Sequence, residues 1–252
     1  MVQKVSANVW TMENQPDFPG VVHPLLLNRA LQEARPIGTW PVSYVKELIA
    51  ATRVKTFEPD SWILRRGEPV NFLYIVVSGI VEISASSADG SRLTIRYAGP
   101  GWSFGLLGLV DGNPMNHSCR AHERTAVALL PKEVLFSILK REPTLWESVA
   151  REVAERNRFI LRQFAEQAFE PLRVRLARVI LILAESYGSE RDDGVVVNLR
   201  LAKDKLGEML SVSRQSVTKE IKPLETEGVI RMNYGRILIL DMEALRAIAR
   251  AD

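Results

Sequence analysis

The sequence contains few residues that could build disulfides or metal clusters. Cys119 is the single cysteine among 252 residues, so one chain forms neither an internal disulfide nor a cysteine cluster for zinc or iron–sulfur. The histidines are His23, His117 and His122. The last two are five residues apart in a predicted strand and point to opposite faces, so they do not share a metal without a bulge. We therefore expect no metal and no cofactor.

Long apolar runs and a strong net charge are also absent. No stretch approaches the roughly 18 apolar residues that a membrane-spanning helix needs, and residues 1–20 lack the apolar core of a signal peptide. The net charge of +3 is compatible with nucleic-acid binding but is not evidence for it, because such binding depends on local patches of positive charge. No nucleophile–base pair, carboxylate pair or metal cluster has a spacing usable in catalysis. We expect a cytoplasmic protein that is not an enzyme and has no membrane partner.

The most informative pattern lies in residues 201–230, which predict two short helices joined by a tight turn. Apolar residues recur at helical spacing in both halves, and each predicted helix thereby has one buried side. These residues are Leu201, Leu206, Met209, Leu210, Val217, Ile221 and Leu224.

The start of the second predicted helix carries side chains suited to a DNA groove. Ser213 is a candidate N-cap, and Arg214, Gln215, Thr218 and Lys219 share the polar face. Arginine pairs with guanine and glutamine with adenine, whereas lysine and threonine reach phosphates. On spacing alone, a solvated face on an ordinary helical hairpin is the alternative.

Two positions in this segment depart from the simple pattern. Ser211 occupies the turn, where a left-handed backbone would cost about 1 kcal/mol. Pro223 lacks the N–H that would bond to the Lys219 carbonyl, and it predicts a kink or an early helix end near Lys222.

Residues 229–241 predict a strand, a turn at residues 233–235 and a second strand. A β-hairpin after a helical pair is typical of a winged helix-turn-helix, and it favours DNA binding over the solvated-face alternative. Arg231 and Arg236 of the hairpin are then candidates for contacts with flanking phosphates.

The preceding part of the chain predicts an irregular arm over residues 1–40, a short helix over residues 41–52 and a glycine-punctuated β domain to residue 131. Many short strands with such turns predict a sandwich, barrel or roll. The predicted strands are Trp62 to Leu64, Phe72 to Val77, Val81 to Ser84, Leu93 to Tyr97, His117 to Ala121 and Thr125 to Leu130.

Helices are predicted at residues 132–139, 143–169 and 172–185, and Pro171 separates the last two. The middle helix would be roughly 40 Å long, more than a small domain buries alone. Its apolar stripe of Val149, Val153, Ile160 and Phe164 has nearly heptad spacing, which predicts a dimer interface. A helix lying on its own β domain is the alternative.

In this order, the β-roll, long helix and winged helix-turn-helix resemble the Crp/Fnr superfamily of bacterial transcription regulators. The resemblance is carried by residues 65–84 (RRGEPVNFLYIVVSGIVEIS), 99–114 (GPGWSFGLLGLVDGNP) and 212–230 (VSRQSVTKEIKPLETEGVI). It implies an α+β chain with a double-stranded β-helix (a jelly-roll-like β-roll). The implied domains are an N-terminal extension (1–40), a β-roll sensor (41–141), a dimerisation helix (142–170) and a DNA-binding domain (171–252).

The same resemblance implies an effector pocket, and the sequence departs from the family there. Members that bind cyclic nucleotides carry a Glu for the ribose and an Arg for the phosphate, and the matching positions are Leu106 and Met115. Without these polar groups we expect an uncharged or weakly polar effector, or a vestigial pocket with none. The predicted pocket residues are Leu106, Met115, Asn116, Cys119 and Ile160. For Cys119, a small buried residue and a redox-sensing thiol are the alternatives.

We therefore predict a homodimeric, sequence-specific transcription regulator. The predicted partners are double-stranded DNA with an approximately palindromic site and a second copy of the chain, with RNA polymerase and a small apolar effector as further candidates. The predicted DNA-binding residues are Ser213, Arg214, Gln215, Thr218, Lys219 and Arg236. The alternative is a small-molecule sensor that acts mainly through protein contacts and binds DNA weakly.

Overall fold

The computed structural model describes residues 24–87 and 90–250. They form two compact units that divide between Ile160 and Leu161. The division falls inside the predicted dimerisation helix, which the structure forms as one continuous helix. Within the described residues, no helix is both long and apolar enough to span a membrane.

The first unit is built around two four-stranded antiparallel sheets, with orders β1-β8-β3-β6 and β2-β7-β4-β5. Its strands are β1 (Arg53–Phe57), β2 (Trp62–Leu64), β3 (Phe72–Ser78), β4 (Val81–Ser86), β5 (Arg92–Ala98), β6 (Ser103–Phe104), β7 (Ser118–Ala121) and β8 (Thr125–Pro131). Its helices are α1 (Pro24–Glu33), α2 (Val42–Ala51), α3 (Leu106–Asp111) and α4 (Lys132–Arg141), with 3₁₀ turns at Ile37–Thr39 and Pro143–Leu145. All six predicted strands are confirmed, and the predicted β-roll with them.

The central strands β3, β4 and β8 are buried along most of their length and form the core of the first unit. Ile83 of β4 lies opposite Cys119 of β7, and both side chains are buried in one cluster with Leu73 and Val127. The short strands β1 and β6 were not predicted, because β1 is mostly exposed and β6 has only two residues.

The irregular arm predicted for residues 1–40 is wrong over Pro24–Glu33, which forms α1; residues 1–23, including His23, lie outside the described residues. Leu27, Ala30 and Leu31 recur on one side of α1 and pack against the core, so tertiary burial stabilises a helix that composition did not predict.

A fully buried carboxylate lies inside the first unit. Glu82 of β4 is fully buried and forms ion pairs with Arg92 of β5 and Arg120 of β7. The Arg120 guanidinium also pairs with Asp60, at 3.0 Å. Because both arginines are themselves largely covered, the cluster compensates charges that burial would otherwise penalise.

Helix α5 (Trp146–Phe169) continues from the 3₁₀ turn opened by Pro143 and ends before Pro171, as predicted. Its first half lies on the β-roll, since Val149 is buried in the core of the first unit and Val153 packs against that core. Val149 is only 2% exposed, so the β-roll of the same chain already covers this first residue of the predicted dimer interface.

The second unit contains the predicted winged helix-turn-helix. After the end of α5, its helices are α6 (Leu172–Tyr187), α7 (Lys203–Leu210), α8 (Arg214–Thr226) and α9 (Met242–Arg250). Its strands β9 (Gly188–Arg191), β10 (Gly194–Val197), β11 (Ile230–Asn233) and β12 (Arg236–Ile239) form an antiparallel sheet with the order β11-β12-β10-β9. The β9–β10 hairpin and α9 were not predicted.

Candidate nucleic-acid interface

A tight turn sets the spacing between α7 and α8. Ser211 adopts the left-handed conformation, with φ of 56°, and the Val212 N–H donates to the Gly207 carbonyl at 3.0 Å. A Cβ on Gly207 would lie only 2.6 Å from the Val212 carbonyl oxygen. Glycine at this position therefore permits the close approach of the turn to α7.

The N-terminus of α8 is capped as predicted. The Ser213 hydroxyl accepts a hydrogen bond from the Ser216 N–H at 3.1 Å, which satisfies one of the first unpaired donors of the helix. Val217, Ile221 and Leu224 are buried and anchor the opposite side of α8.

The side chains of Arg214, Gln215 and Lys219 are exposed together on the polar face of α8. Thr218 differs from them, since it is half-buried and its hydroxyl donates to the Arg214 carbonyl at 2.9 Å. A phosphate only accepts hydrogen bonds, so a contact from Thr218 requires the hydroxyl to rotate away from that carbonyl.

The early end of α8 predicted near Lys222 is wrong, because the helix continues through Pro223 to Thr226. Proline removes only its own N–H bond, while Ile221 and Leu224 on either side remain buried. The Thr226 hydroxyl also donates to the Lys222 carbonyl at 3.0 Å in the last turn.

The wing hairpin closes through a two-residue turn. Asn233 pairs with Arg236, and the intervening Tyr234 and Gly235 have φ of 48° and 76°. Two positive φ angles define the turn type whose twist suits a β-hairpin. Arg236 is half-buried on β12 and lies on the wing rather than beside the other predicted DNA-binding residues.

Two hydrogen bonds attach the wing to the helical pair. The Met232 N–H donates to the Glu225 carboxylate of α8 at 2.9 Å. The Leu201 N–H, just before α7, donates to the Gly235 carbonyl at 2.7 Å. The recognition surface and the wing are therefore held in one arrangement.

Comparison with known proteins identifies both parts of the chain. Residues 54–142 match the family described as "Cyclic nucleotide-binding domain", and residues 174–248 match the "Crp-like helix-turn-helix domain". Transcriptional regulator LdrP of Thermus thermophilus is 30% identical over 194 residues, which cover 76% of this chain and 94% of that protein. The chain belongs to the CRP/FNR family of transcriptional regulators.

Other relatives agree with this membership. A CRP-like cAMP-activated global transcriptional regulator of Mycobacterium tuberculosis is 28% identical over 75% of this chain and 84% of its own length. A crystal structure of a CRP/FNR-family regulator from Thermus thermophilus superposes with a TM-score of 0.67 at 28% identity, covering 79% of this chain and 99% of that one. FixK2 from Bradyrhizobium japonicum, at 19% identity and a TM-score of 0.70 over 80% of this chain and 98% of its own, shares the fold. This CRP/FNR protein is thus a DNA-binding transcription regulator, not an enzyme.

The predicted effector-pocket residues do not all lie in one environment. Leu106, Met115 and Cys119 are buried in the core of the first unit. Asn116 is exposed, with its amide oxygen 2.7 Å from the Nδ1 atom of His117, and Ile160 is 49% exposed on α5. Burial strongly raises the pKa of the Cys119 thiol, so at neutral pH the thiol stays protonated and unreactive. This favours the small buried residue over the redox-sensing thiol.

The sequence did not predict an arginine–aromatic stack in the first unit. The Arg96 guanidinium lies 4.2 Å from the ring centre of Trp102 and 4.7 Å from that of Phe159. Arg156 also lies over Trp102, at 5.0 Å, and its charge is compensated by Glu152 at 2.6 Å. No local signal links these residues, since β5, the residue before β6 and α5 bring them together from distant parts of the chain.

One arginine of this stack, Arg156, affects the pKa of His117. Burial lowers the pKa of His117, and the positive charge of Arg156 lowers it further. His117 is therefore mostly neutral at pH 7, and it adds no positive charge to this part of the unit.

Proposed function

We propose that this CRP/FNR regulator binds an approximately two-fold symmetric DNA site as a homodimer, without requiring a bound cyclic nucleotide. The observation that carries the proposal is the polar face of α8, which is capped by Ser213 and exposes Arg214, Gln215 and Lys219 while its other side is buried. Because α8 is amphipathic and follows a fixed turn, it resembles the recognition helices that enter the major groove of DNA.

Each exposed side chain has a role that its chemistry suits. Arg214 reads a guanine through two hydrogen bonds, and Gln215 reads an adjacent base. Lys219 and Ser213 contact the phosphate backbone, and Thr218 joins them once its hydroxyl leaves the Arg214 carbonyl. Arg236 contacts a phosphate that flanks these bases.

The second half of α5 supplies the dimer interface. Ile160, Leu161 and Phe164 are 49%, 58% and 71% exposed in the single chain. Large apolar side chains at this spacing form a continuous stripe on a helix, and such a stripe is stabilised by burial against a partner. A second copy of α5 buries the stripe and places two recognition helices on one DNA site.

The sensor pocket differs from one that binds a cyclic nucleotide through its phosphate. Leu106 and Met115 are buried apolar side chains, and neither donates a hydrogen bond to an anion. The effector is accordingly an uncharged or weakly polar molecule, or the regulator acts without one. RNA polymerase remains a predicted partner on family membership alone.

The test is fluorescence anisotropy of the purified full chain on DNA from upstream of its own gene, with excess competitor DNA, with and without cyclic AMP. We expect specific binding in both conditions and a symmetric footprint. Binding that appears only with cyclic AMP would show that Leu106 and Met115 have been assigned wrongly. Absence of specific binding to any duplex would refute the proposed DNA contacts themselves.

A further inference from the structure

Residues 24–40 lie outside the two family matches, the first of which begins at residue 54. They nevertheless pack into the core of the first unit, where Ala34, Ile37 and Trp40 are buried together with residues of the β-roll. The stretch that follows α1, residues 35–40, also contacts α5, and we call it the N-terminal strap. Family membership therefore assigns no role to a segment that the structure places against both the β-roll and its long helix.

A hydrogen bond joins the strap to the first turn of α5. Trp40 is only 4% exposed, and its indole N–H donates to the Ser148 hydroxyl at 2.8 Å. That hydroxyl donates in turn to the Leu145 carbonyl at 2.7 Å, so it both accepts and donates inside the protein. A buried indole N–H without a partner is unfavourable, and the bond therefore ties Trp40 to one position on α5.

A second polar link runs through Ser103 of β6, which is buried. Its hydroxyl donates to the Arg35 carbonyl of the strap at 2.7 Å and accepts from the Arg156 guanidinium of α5 at 2.8 Å. Arg156 is held in place by its ion pair with Glu152, one turn earlier on the same helix. The Arg35 side chain also pairs with Glu155 at 2.9 Å, but this pair is exposed and contributes little. One buried hydroxyl thus connects the strap, the β-roll and α5.

The arginine–aromatic stack attaches α5 to the β-roll a further turn along. The Arg96 guanidinium of β5 lies over the rings of both Trp102 and Phe159. All three side chains are half-buried, and a cation–π contact is stronger where water is partly excluded. Trp102 also packs against the core of the first unit, so the stack fixes Phe159 of α5 to that core.

The contacts are spread along one face of α5. Ser148, Glu152, Arg156 and Phe159 are spaced by four, four and three residues, the intervals at which side chains share a helix face. From Ser148 to Phe159 the helix rises about 16 Å, at roughly 1.5 Å per residue. Attachment at one point would let a helix tilt, whereas attachment at both ends of three turns fixes its direction. We call the pairs Trp40–Ser148, Ser103–Arg156 and Arg96–Phe159 the α5 clamp.

We propose that the α5 clamp holds this regulator in its DNA-binding form in place of an effector, with Trp40 and Arg96 as positioning residues. The inference rests on the proposed function and names the contacts that make a bound cyclic nucleotide unnecessary. Helix α5 continues without a break from its clamped half into the exposed stripe that includes Ile160 and Phe164. A clamped helix presents this stripe to a partner in one orientation, whereas a loosened helix divides the chain among several. Apparent DNA affinity then falls with the fraction of molecules that remain competent.

The first experiment compares Arg96→Ala with a matched control, Arg65→Ala. Both remove a guanidinium from a tryptophan ring, but Arg65 lies over Trp62, at 5.6 Å, and is not part of the clamp. Anisotropy of the full chain on DNA from upstream of its own gene is measured from about 50 to 200 mM salt. We expect Arg96→Ala to bind roughly ten-fold more weakly, because two cation–π contacts are lost. Its log–log salt slope should equal that of wild type, because no phosphate contact is lost, and Arg65→Ala should match wild type in both.

Hydrogen–deuterium exchange on the same proteins locates the change. In Arg96→Ala, the backbone amides of residues 149–160 should exchange roughly ten-fold faster than in wild type, while those of β3 and β8 should keep the wild-type rate. Faster exchange throughout the first unit would mean that Arg96 stabilises the whole fold rather than positions α5, and it would overturn the assignment. Unchanged exchange of residues 149–160 would do the same.

Trp40→Phe and Ser148→Ala test the strap independently of the stack. Each removes one partner of the same hydrogen bond, so both single variants and the double variant should lose DNA affinity by a similar factor of a few-fold. Phenylalanine keeps most of the buried aromatic surface, and the Tm of each variant shows that it is folded under the assay conditions. The proposal is overturned if Arg96→Ala and the double variant bind this DNA as tightly as wild type or more tightly. Failure of wild type to bind it specifically would instead refute the proposed function.

Discussion

Gly207→Ala is the change that most directly tests how the turn positions the recognition helix. The added Cβ would lie 2.6 Å from the Val212 carbonyl oxygen, so the two atoms must separate by roughly 0.8 Å to reach an ordinary van der Waals distance. The Val212 N–H also bonds to the Gly207 carbonyl, and the turn cannot move without straining that bond.

The expected cost follows from two opposing effects. Overpacking a buried site costs about 1–3 kcal/mol, while alanine is favoured over glycine inside a helix by about 0.8–1.0 kcal/mol. We expect a net loss of roughly 0–2 kcal/mol in the free energy of unfolding. DNA affinity should fall further, by about ten-fold or more, because a shift of the turn displaces Arg214 and Gln215 from the bases together.

Two measurements on the same variant separate these effects: thermal unfolding followed by circular dichroism, and anisotropy on the specific duplex. Asp204→Ala is the control, because it places alanine at an exposed position of α7. If Gly207→Ala kept the Tm and the DNA affinity of wild type, the close approach of the turn to α7 would not be required, and the reasoning would be refuted.

Three further predictions test the bases read, the dimer interface and the buried charge. Arg214→Ala should lose about 1–3 kcal/mol of DNA-binding free energy, and only at the one base position that Arg214 reads. Lys219→Ala should weaken binding to all DNA sequences alike and reduce the salt slope by about 1. If Arg214→Ala kept the base preference of wild type, the assigned role would be wrong. Phe164→Glu should shift the chain from dimer to monomer in sedimentation velocity and lower DNA affinity with little change in helical content, and a persisting dimer would place the interface elsewhere. Glu82→Ala removes the carboxylate that pairs with Arg92 and Arg120, both of which are largely covered. The free energy of unfolding of the first unit, measured in urea, should therefore fall by about 3–5 kcal/mol. A loss below about 1 kcal/mol would show that water or Asp60 compensates the arginines.

Much of the fold was predictable because its signals are local. Short runs separated by glycine turns predicted the six main strands of the β-roll, and the apolar spacing of α7 and α8 predicted the helix-turn-helix. Ser213 illustrates how specific such a signal can be, since a serine before a helical pattern predicts a cap that the structure contains. The same short segment also supplied most of the predicted DNA-binding residues, because Arg214, Gln215, Thr218 and Lys219 all lie near the start of α8.

Errors arose where long-range packing overrides a local pattern. Pro223 predicts a helix end, yet buried neighbours on both sides hold α8 together. The heptad-like stripe of α5 predicts one continuous interface, but Val149 is covered by its own unit while Phe164 is exposed. Spacing identifies an apolar face and does not say which surface covers it.

The sequence alone predicted the order of the main elements, the capped polar face of α8 and the apolar residues Leu106 and Met115 at the positions where the resemblance implies a Glu and an Arg in cyclic-nucleotide-binding members. Tertiary structure alone decided the burial of α1, the Arg96–Trp102 stack and the placement of Arg191 and Arg236 on one surface. The physical reason is that the residues brought together in each case are far apart along the chain. Arg191 and Arg236 are placed on one surface only by strand pairing across the sheet, and periodicity within a short window carries no information about such pairing.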